Sequence, residues 1–314
     1  MILETNHGGD GMSLLVVGSV AFDDLETPSG RRVNILGGSA TYFSLAASRL
    51  HPVQVVAVVG EDFGPDQDAV FRGRPIDLTG LVRKAGRSFH WRGEYGLDLN
   101  EARTLDTQLN VFADFRPNLP ESYRRASCLF LGNIDPVLQG DVVRQMASRP
   151  QWIALDTMNF WINGARKALD GVLRQVDILL INEAEGRSLT GERHLLNVYE
   201  KIRLMGPRIL VVKRGEYGVA LFTPDGHFLA PAFPLKEVAD PTGAGDTFAG
   251  GFMGYLAATE NTSLETLKRA ALMGTVLASF TVEKFGTAGL ESLTDNALHG
   301  RLAALRDLIR VPPR

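Results

Sequence analysis

Ile178-Leu179-Leu180-Ile181-Asn182-Glu183-Ala184-Glu185 is a run of four apolar residues that stops abruptly on polar ones. A short run with no polar break reads as a strand covered on both faces. Similar short, β-branched runs recur at Leu14 to Val17, Val53 to Val59, Cys128 to Leu131, Trp152 to Leu155 and Ile209 to Val212, with helical or mixed segments between them. Buried strands alternating with helices predict a doubly wound α/β fold, a mostly parallel sheet flanked by helices. Gly18, Gly60, Asn133, Asp156, Asn182 and Lys213 fall at or just past the carboxyl ends of these runs. In open α/β sheets the ligand crevice lies along that edge. So many polar residues and glycines there predict one shared polar cleft.

Further along, Asp240-Pro241-Thr242-Gly243-Ala244-Gly245-Asp246 leads into Phe248, Phe252 and Tyr255 at helical spacing. Glycines around a small residue let the backbone N–H groups of Gly243, Ala244 and Gly245 face one point, where the helix adds its partial positive end. The loop therefore favours an anion. Asp246 in the first turn would repel a bound phosphate unless it has work to do, and the useful work is taking a proton from an attacking hydroxyl. An ordinary helix N-terminus, with the acid only complementing the dipole, is the competing reading. No Gly-Lys-Ser/Thr follows, and the Gly-x-Gly-x-x-Gly spacing is missing, so neither a Walker A loop nor a dinucleotide fingerprint is present.

The chain has 314 residues, 45% of them apolar, enough for a sizeable core. Its net charge of −3 comes from 33 basic and 36 acidic residues, well mixed, which argues against nucleic acid or an anionic membrane as partner. The single cysteine, Cys128, lies in an apolar run and reads as a buried structural thiol. With no disulfide framework, signal-peptide core or membrane span, the expectation is a cytoplasmic protein. Residues 1–11 read as a loose extension ahead of a single α/β unit over 12–314.

Two stretches interrupt the α/β pattern. Phe22 to Leu36 contains the turn cluster Thr27-Pro28-Ser29-Gly30, and Ser88 to Phe115 carries the alternation of Phe89 and Trp91 with His90 and Arg92. Both read as β-hairpins that combine into a small sheet, serving as a lid, as a surface for a homodimer, or both. Gly37-Gly38 then reads as a hinge or a simple turn. Thr262 and Glu265 match a capping box for a last helix running through Leu267, Ala271 and Leu277 to a stop at Gly286.

These residues resemble the ribokinase (PfkB) family of carbohydrate and nucleoside kinases, from about Leu14 to Gly286. Asp240 to Asp246 is similar to its carboxyl-terminal signature, with Pro241 where threonine is frequent. Gly37-Gly38 resembles its glycine pair, Asn182-Glu183-Ala184-Glu185 its Asn-x-x-Glu motif, and Lys213 to Gly218 its ATP-edge turn. The resemblance implies that Asp246 is the base and that the N–H groups of Gly243, Ala244 and Gly245 stabilise the transferring phosphoryl group. It implies that Asn182 and Glu185 organise Mg²⁺ and its waters, that Lys213, Gly215 and Gly218 lie near the nucleotide, and that Thr275 falls at the adenine pocket. Asp240 and Thr242 align with groups that hold a monovalent cation, K⁺, in some members.

On the acceptor side the resemblance implies Asp23, with Asp24 as rival, Gly37 and Gly38. Asn133, Asp156 and Asn159 also end strands on this edge, where Asn133 is a candidate substrate contact and turn capping is the alternative for each. Tyr42 stands where many sugar kinases have asparagine, so its ring is expected to stack on a base, cover a sugar's apolar face, or fill space. Arg92, Asn100 and Arg103 on the second hairpin are expected to tune specificity. The expected function is an ATP-dependent kinase acting on a hydroxyl of a sugar, nucleoside or related polyol. The alternative is a non-catalytic nucleotide- or metabolite-binding regulator on the same fold.

Overall fold

Thirteen strands divide between two sheets in a computed structural model that describes residues 12–100, 102–259 and 261–310. The stretch assigned from sequence to a loose extension, residues 1–11, lies outside the described residues. In chain order the strands are β1 (Leu14–Val17), β2 (Ala21–Thr27), β3 (Gly30–Gly37), β4 (Val53–Val59), β5 (Ile76–Arg83), β6 (Phe89–Tyr95) and β7 (Ala102–Gln108). They continue as β8 (Cys128–Leu131), β9 (Trp152–Asp156), β10 (Ile178–Asn182), β11 (Ile209–Lys213), β12 (Val219–Thr223) and β13 (Gly226–Ala230).

The large sheet runs β13-β12-β11-β10-β9-β8-β1-β4-β5 and is parallel except for its β11-β12-β13 edge. All six apolar runs picked out from the sequence are strands of it. Alternate residues of β1 face opposite cores: Leu14 and Val16 join one cluster, Leu15 and Val17 the other. Burial on both faces is why these strands lack polar alternation. The chain enters at β1, builds outward through β4 and β5, then returns to β8 on the other side of β1. Strand direction of growth reverses between β1 and β8, which is the switch point where a crevice opens.

The second sheet, β3-β2-β6-β7, joins the two hairpins expected from the sequence through a parallel β2–β6 pair. Its β2–β3 turn is anchored to the chain ahead of the glycine loop: the Thr27 hydroxyl donates to the Ala239 carbonyl at 2.8 Å and the Ser29 hydroxyl to Val238 at 3.2 Å.

Helix Ala244–Thr259 lies between helices Ser39–Ala47 and Leu264–Val282. Small residues bring the axes close: a Cβ added to Gly250 would lie 2.3 Å from the Phe43 carbonyl oxygen. One expectation is corrected here. The last of these helices is capped by Ser263, whose hydroxyl accepts from the Thr266 N–H, not by the Thr262–Glu265 box, and it ends at Val282 rather than running to Gly286. Adjacent hydroxyls compete for that role, and the extended backbone at Ser263 decides it. No helix among the described residues is long and apolar enough to cross a membrane.

Candidate active site

The glycine loop is braced from beneath by one buried acid. Asp240 is fully buried, and its two carboxylate oxygens accept from the Thr242 N–H and the Gly286 N–H, each at 2.9 Å. Gly243 takes φ +74°, and a Cβ there would lie 2.3 Å from the Tyr42 ring. Only glycine meets both demands, positive φ and a ring directly underneath. Tyr42 is 1% exposed, so its ring supports the loop and is not a platform open to a ligand. Its hydroxyl is buried with no hydrogen-bond partner among the described residues.

Asp246 stands in the first turn of helix Ala244–Thr259, as the spacing predicts. The Ala244 N–H is turned back onto the Pro241 carbonyl at 3.2 Å. Among the described residues the N–H groups of Gly243 and Gly245 have no backbone acceptor, so these two are the donors left for an anion. Burial, and then the charge of Asp156, lift the Asp246 carboxyl to about 7, with Lys213 opposing. A carboxyl held in that range can exchange a proton near neutral pH.

Three further charges converge on the same loop. Lys213, the last residue of β11, donates from Nζ to Asp156 Oδ2 at the end of β9, 2.8 Å away across the end of β10. A Cβ on Gly245 would lie 3.0 Å from that Nζ. Glu185 is buried and raised to about 7, chiefly by burial, with Lys213 opposing and the negative charges of Asp156 and Asp246 adding. It forms a reciprocal cap with Asn182: Asn182 Oδ1 accepts from the Glu185 N–H at 2.8 Å, and Glu185 Oε2 accepts from the Asn182 N–H at 2.7 Å. The Asn-x-x-Glu motif thus starts a helix and also fixes a carboxylate at the cleft. That is unlike the solvated helix residue that Glu185 resembles in isolation.

The other end of the cleft is built from the second sheet. Asp23 on β2 is 4% exposed, and burial, with the negative charges of Asp240, Asp246 and Asp24, lifts its carboxyl to about 8. Its carboxylate receives no hydrogen bond from another described group. A Cβ on Gly37 would lie 1.9 Å from Asp23 Oδ2, so Gly37 makes room for this acid, while Gly38 packs against the Ser19 backbone. Asp24, the rival, points the other way: it accepts from the Asn34 N–H at 2.7 Å and pairs with His90 at 3.2 Å. Tyr95 on β6, which sequence reasoning missed, closes the arrangement, accepting at its hydroxyl from Thr242 Oγ1 at 3.1 Å. Arg103 is paired with Glu94 and is exposed.

Other expected residues are engaged locally. Both polar atoms of the Asn133 amide are engaged, accepting from Trp161 Nε1 at 3.0 Å and donating to Met158 Sδ at 3.1 Å. Thr275 returns its hydroxyl to the Ala271 carbonyl within its own helix. Gly215 and Gly218 form a tight turn, where the Arg214 N–H donates to the Gly218 carbonyl at 2.8 Å. Asn100, at the tip of the β6–β7 hairpin, reaches this turn: a Cβ on Gly215 would lie 2.0 Å from its Oδ1. The Asp156–Lys213 pair is the main feature that sequence left unassembled. Its only signal was that both residues end strands on one edge.

A family model described as pfkB family carbohydrate kinase matches residues 14–293. The cytidine kinase of Thermococcus kodakarensis is 29% identical over 256 residues, 78% of this chain and 88% of that one. The nucleoside kinase of Methanothermobacter thermautotrophicus is 27% identical over 293 residues, 87% and 90% of the two chains. Among solved structures, the adenosine kinase of Sinorhizobium meliloti superposes with a TM-score of 0.76 at 16% identity, covering 93% of this chain and 99% of that one. With a half-buried acid at the head of a glycine-started helix and a family match over most of its length, the chain belongs to the pfkB family of carbohydrate kinases, ATP-dependent phosphotransferases with an alcohol group as acceptor.

Proposed function

We propose that the chain transfers the γ-phosphoryl group of ATP to a hydroxyl of a nucleoside, sugar or related polyol, with Asp246 as general base. The observation that carries this reading is a carboxyl poised near 7 beside the free N–H groups of Gly243 and Gly245. The acceptor hydroxyl would lie between Asp23 and Asp246. As its oxygen attacks phosphorus, its proton passes to Asp246 and ADP leaves, while the loop N–H groups hold the charge on the transferring group. Asp23 has free acceptor positions for the acceptor's other hydroxyls. Nucleosides come first in any screen, because relatives covering most of the chain are named cytidine kinase and nucleoside kinase.

Glu185 suits Mg²⁺ held through water. Its Oε1 bonds to no other described group, and a hard ion bound mainly by phosphate oxygens and water needs few protein ligands. Bound Mg²⁺ would neutralise phosphate charge. Asp240, a buried acid, together with Thr242 fits a monovalent cation on charge grounds, although both its oxygens already accept N–H bonds. Strands β2, β3, β6 and β7 would act as a lid that excludes water during transfer, and the exposed β7 edge offers a surface for a second copy. The test is ADP release over a panel of nucleosides, sugars and inositols with wild type and Asp246→Asn. An acceptor-dependent rate that the variant loses supports the reading. No acceptor-dependent ADP release from any of them contradicts it and favours a regulatory binding protein.

A further inference from the structure

We propose that Lys213 is a catalytic residue whose ammonium, held at the mouth of the glycine loop by Asp156, neutralises the γ-phosphoryl group during transfer. The inference rests on the phosphoryl-transfer reading above and assigns the cation within it. The resemblance implies only that Lys213 lies near the nucleotide with Gly215 and Gly218. Its side chain runs toward the loop, with Nζ 3.0 Å from where a Gly245 Cβ would stand. The ammonium therefore stands against the backbone of Gly245, one of the two loop residues whose N–H is left for an anion.

Donor accounting gives a second, independent argument. An ammonium carries three donors. Lys213, with an 18% exposed side chain, makes one hydrogen bond among the described residues, to Asp156 Oδ2. Other lysines such as Lys268 and Lys284 make exposed surface contacts, whereas this one is held inside with donors to spare. Asp156 is fixed in turn, since its Oδ1 accepts from the Thr157 N–H at 2.8 Å. Burial opposes the lysine's charge, but Asp156 first, then Glu185 and Asp246, more than offset it. A cation kept charged, tethered on one side and free on the other fits an incoming anion better than it fits a structural role, because buried ion pairs contribute little net stability.

In the transfer step the bond from the β–γ bridging oxygen to Pγ breaks and that from the acceptor oxygen to Pγ forms. The acceptor proton goes to Asp246, ADP departs, and Lys213 makes no covalent bond. Its contribution is charge stabilisation that grows as the phosphoryl group moves into the loop. Asp156 is then a positioning residue, acting through Lys213.

The experiment measures kcat, KM for ATP, ADP affinity and melting temperature for Lys213→Ala, Lys213→Arg, Asp156→Asn and Asp246→Asn, using the best acceptor from the panel. Lys213→Ala should lower kcat about 100-fold or more, leave ADP affinity within about threefold, and regain part of kcat when ethylammonium is added. Asp156→Asn should lower kcat by a smaller factor, with no ethylammonium response. A purely structural lysine predicts altered melting with no amine rescue, and a ground-state nucleotide contact predicts a raised KM with kcat intact. Either result overturns the proposal. If Lys213→Ala does not fold, Lys213→Arg carries the test: retained ADP affinity with a lowered kcat supports it, and wild-type kcat with a raised KM for ATP refutes it. A dead Asp246→Asn beside a fully active Lys213→Ala sinks this inference alone, whereas the reverse pattern sinks the assignment of the base.

Discussion

The two ends of the cleft are built on opposite principles. At the phosphate end, charges come in fixed combinations: Lys213 with Asp156, Glu185 with Asn182, and Asp240 with two backbone N–H groups. Lys213, Asp156 and Asn182 end strands of the large sheet and Glu185 lies in the helix that follows Asn182, while Asp240 lies in the loop ahead of helix Ala244–Thr259. At the acceptor end, Asp23 is buried and unpaired on a smaller sheet whose β7 edge is wholly exposed. On the proposed reading, the difference separates chemistry from selectivity. Fixed charge suits a reaction common to a family, while an unpaired acid on a separable sheet suits a variable partner.

The sharpest way to break this contrast is to exchange the two acids' expected phenotypes. Asp246→Asn should lower kcat by about 10²–10⁴-fold, the scale of a positioned base, while ATP still binds. Asp23→Asn should act mainly through the acceptor, raising its KM about 10-fold through lost hydrogen bonds to the carboxyl, with KM for ATP little changed. Steady-state kinetics in both substrates separates the two. Equal losses in kcat from both variants would erase the division of labour.

How much of this was legible in the chain follows the same division. Apolar runs revealed six strands of the large sheet, because strands buried on both faces have no polar alternation to obscure them. Strand β5 was missed because it is a half-exposed edge strand that reads Ile-Asp-Leu-Thr. Strand β12 is wholly buried yet antiparallel, so it has no place in a strand–helix alternation. Asp246 was legible because the loop and acid are contiguous. The Asp156–Lys213 pair was not, since its members lie 57 residues apart and meet only when β9, β10 and β11 align. Tyr42 is the instructive case: its identity was visible, but that it props up Gly243 depends on packing between distant segments.

Smaller effects sharpen the comparison. Gly243→Ala sets a methyl against the Tyr42 ring at a positive φ, and should cost about 1–3 kcal/mol of stability together with much of kcat, read by denaturation and assay. The pH dependence of stability follows from Asp23. Its folded value, about 8, lies above its unfolded one, so its favourable contribution is full below about pH 4 and is lost as pH rises through 8. Asp23→Asn should therefore raise the melting temperature at pH 8.5 by about 2–4 °C relative to wild type, with a smaller gap at pH 5. Tyr42→Phe, which removes a hydroxyl buried without a partner, should change stability by about 1 kcal/mol or less, toward greater stability. A marked rise in acceptor KM in that variant would move Tyr42 from loop support to acceptor binding.

The central claim is that Asp246 takes the acceptor's proton, and the pH profile of kcat/KM tests it most directly. With burial and Asp156 holding its carboxyl at about 7, activity should fall as pH drops through 7 in the wild type. Asp246→Asn should lose that limb together with at least about a hundredfold in rate. A variant that keeps both the rate and the acid limb would contradict the account.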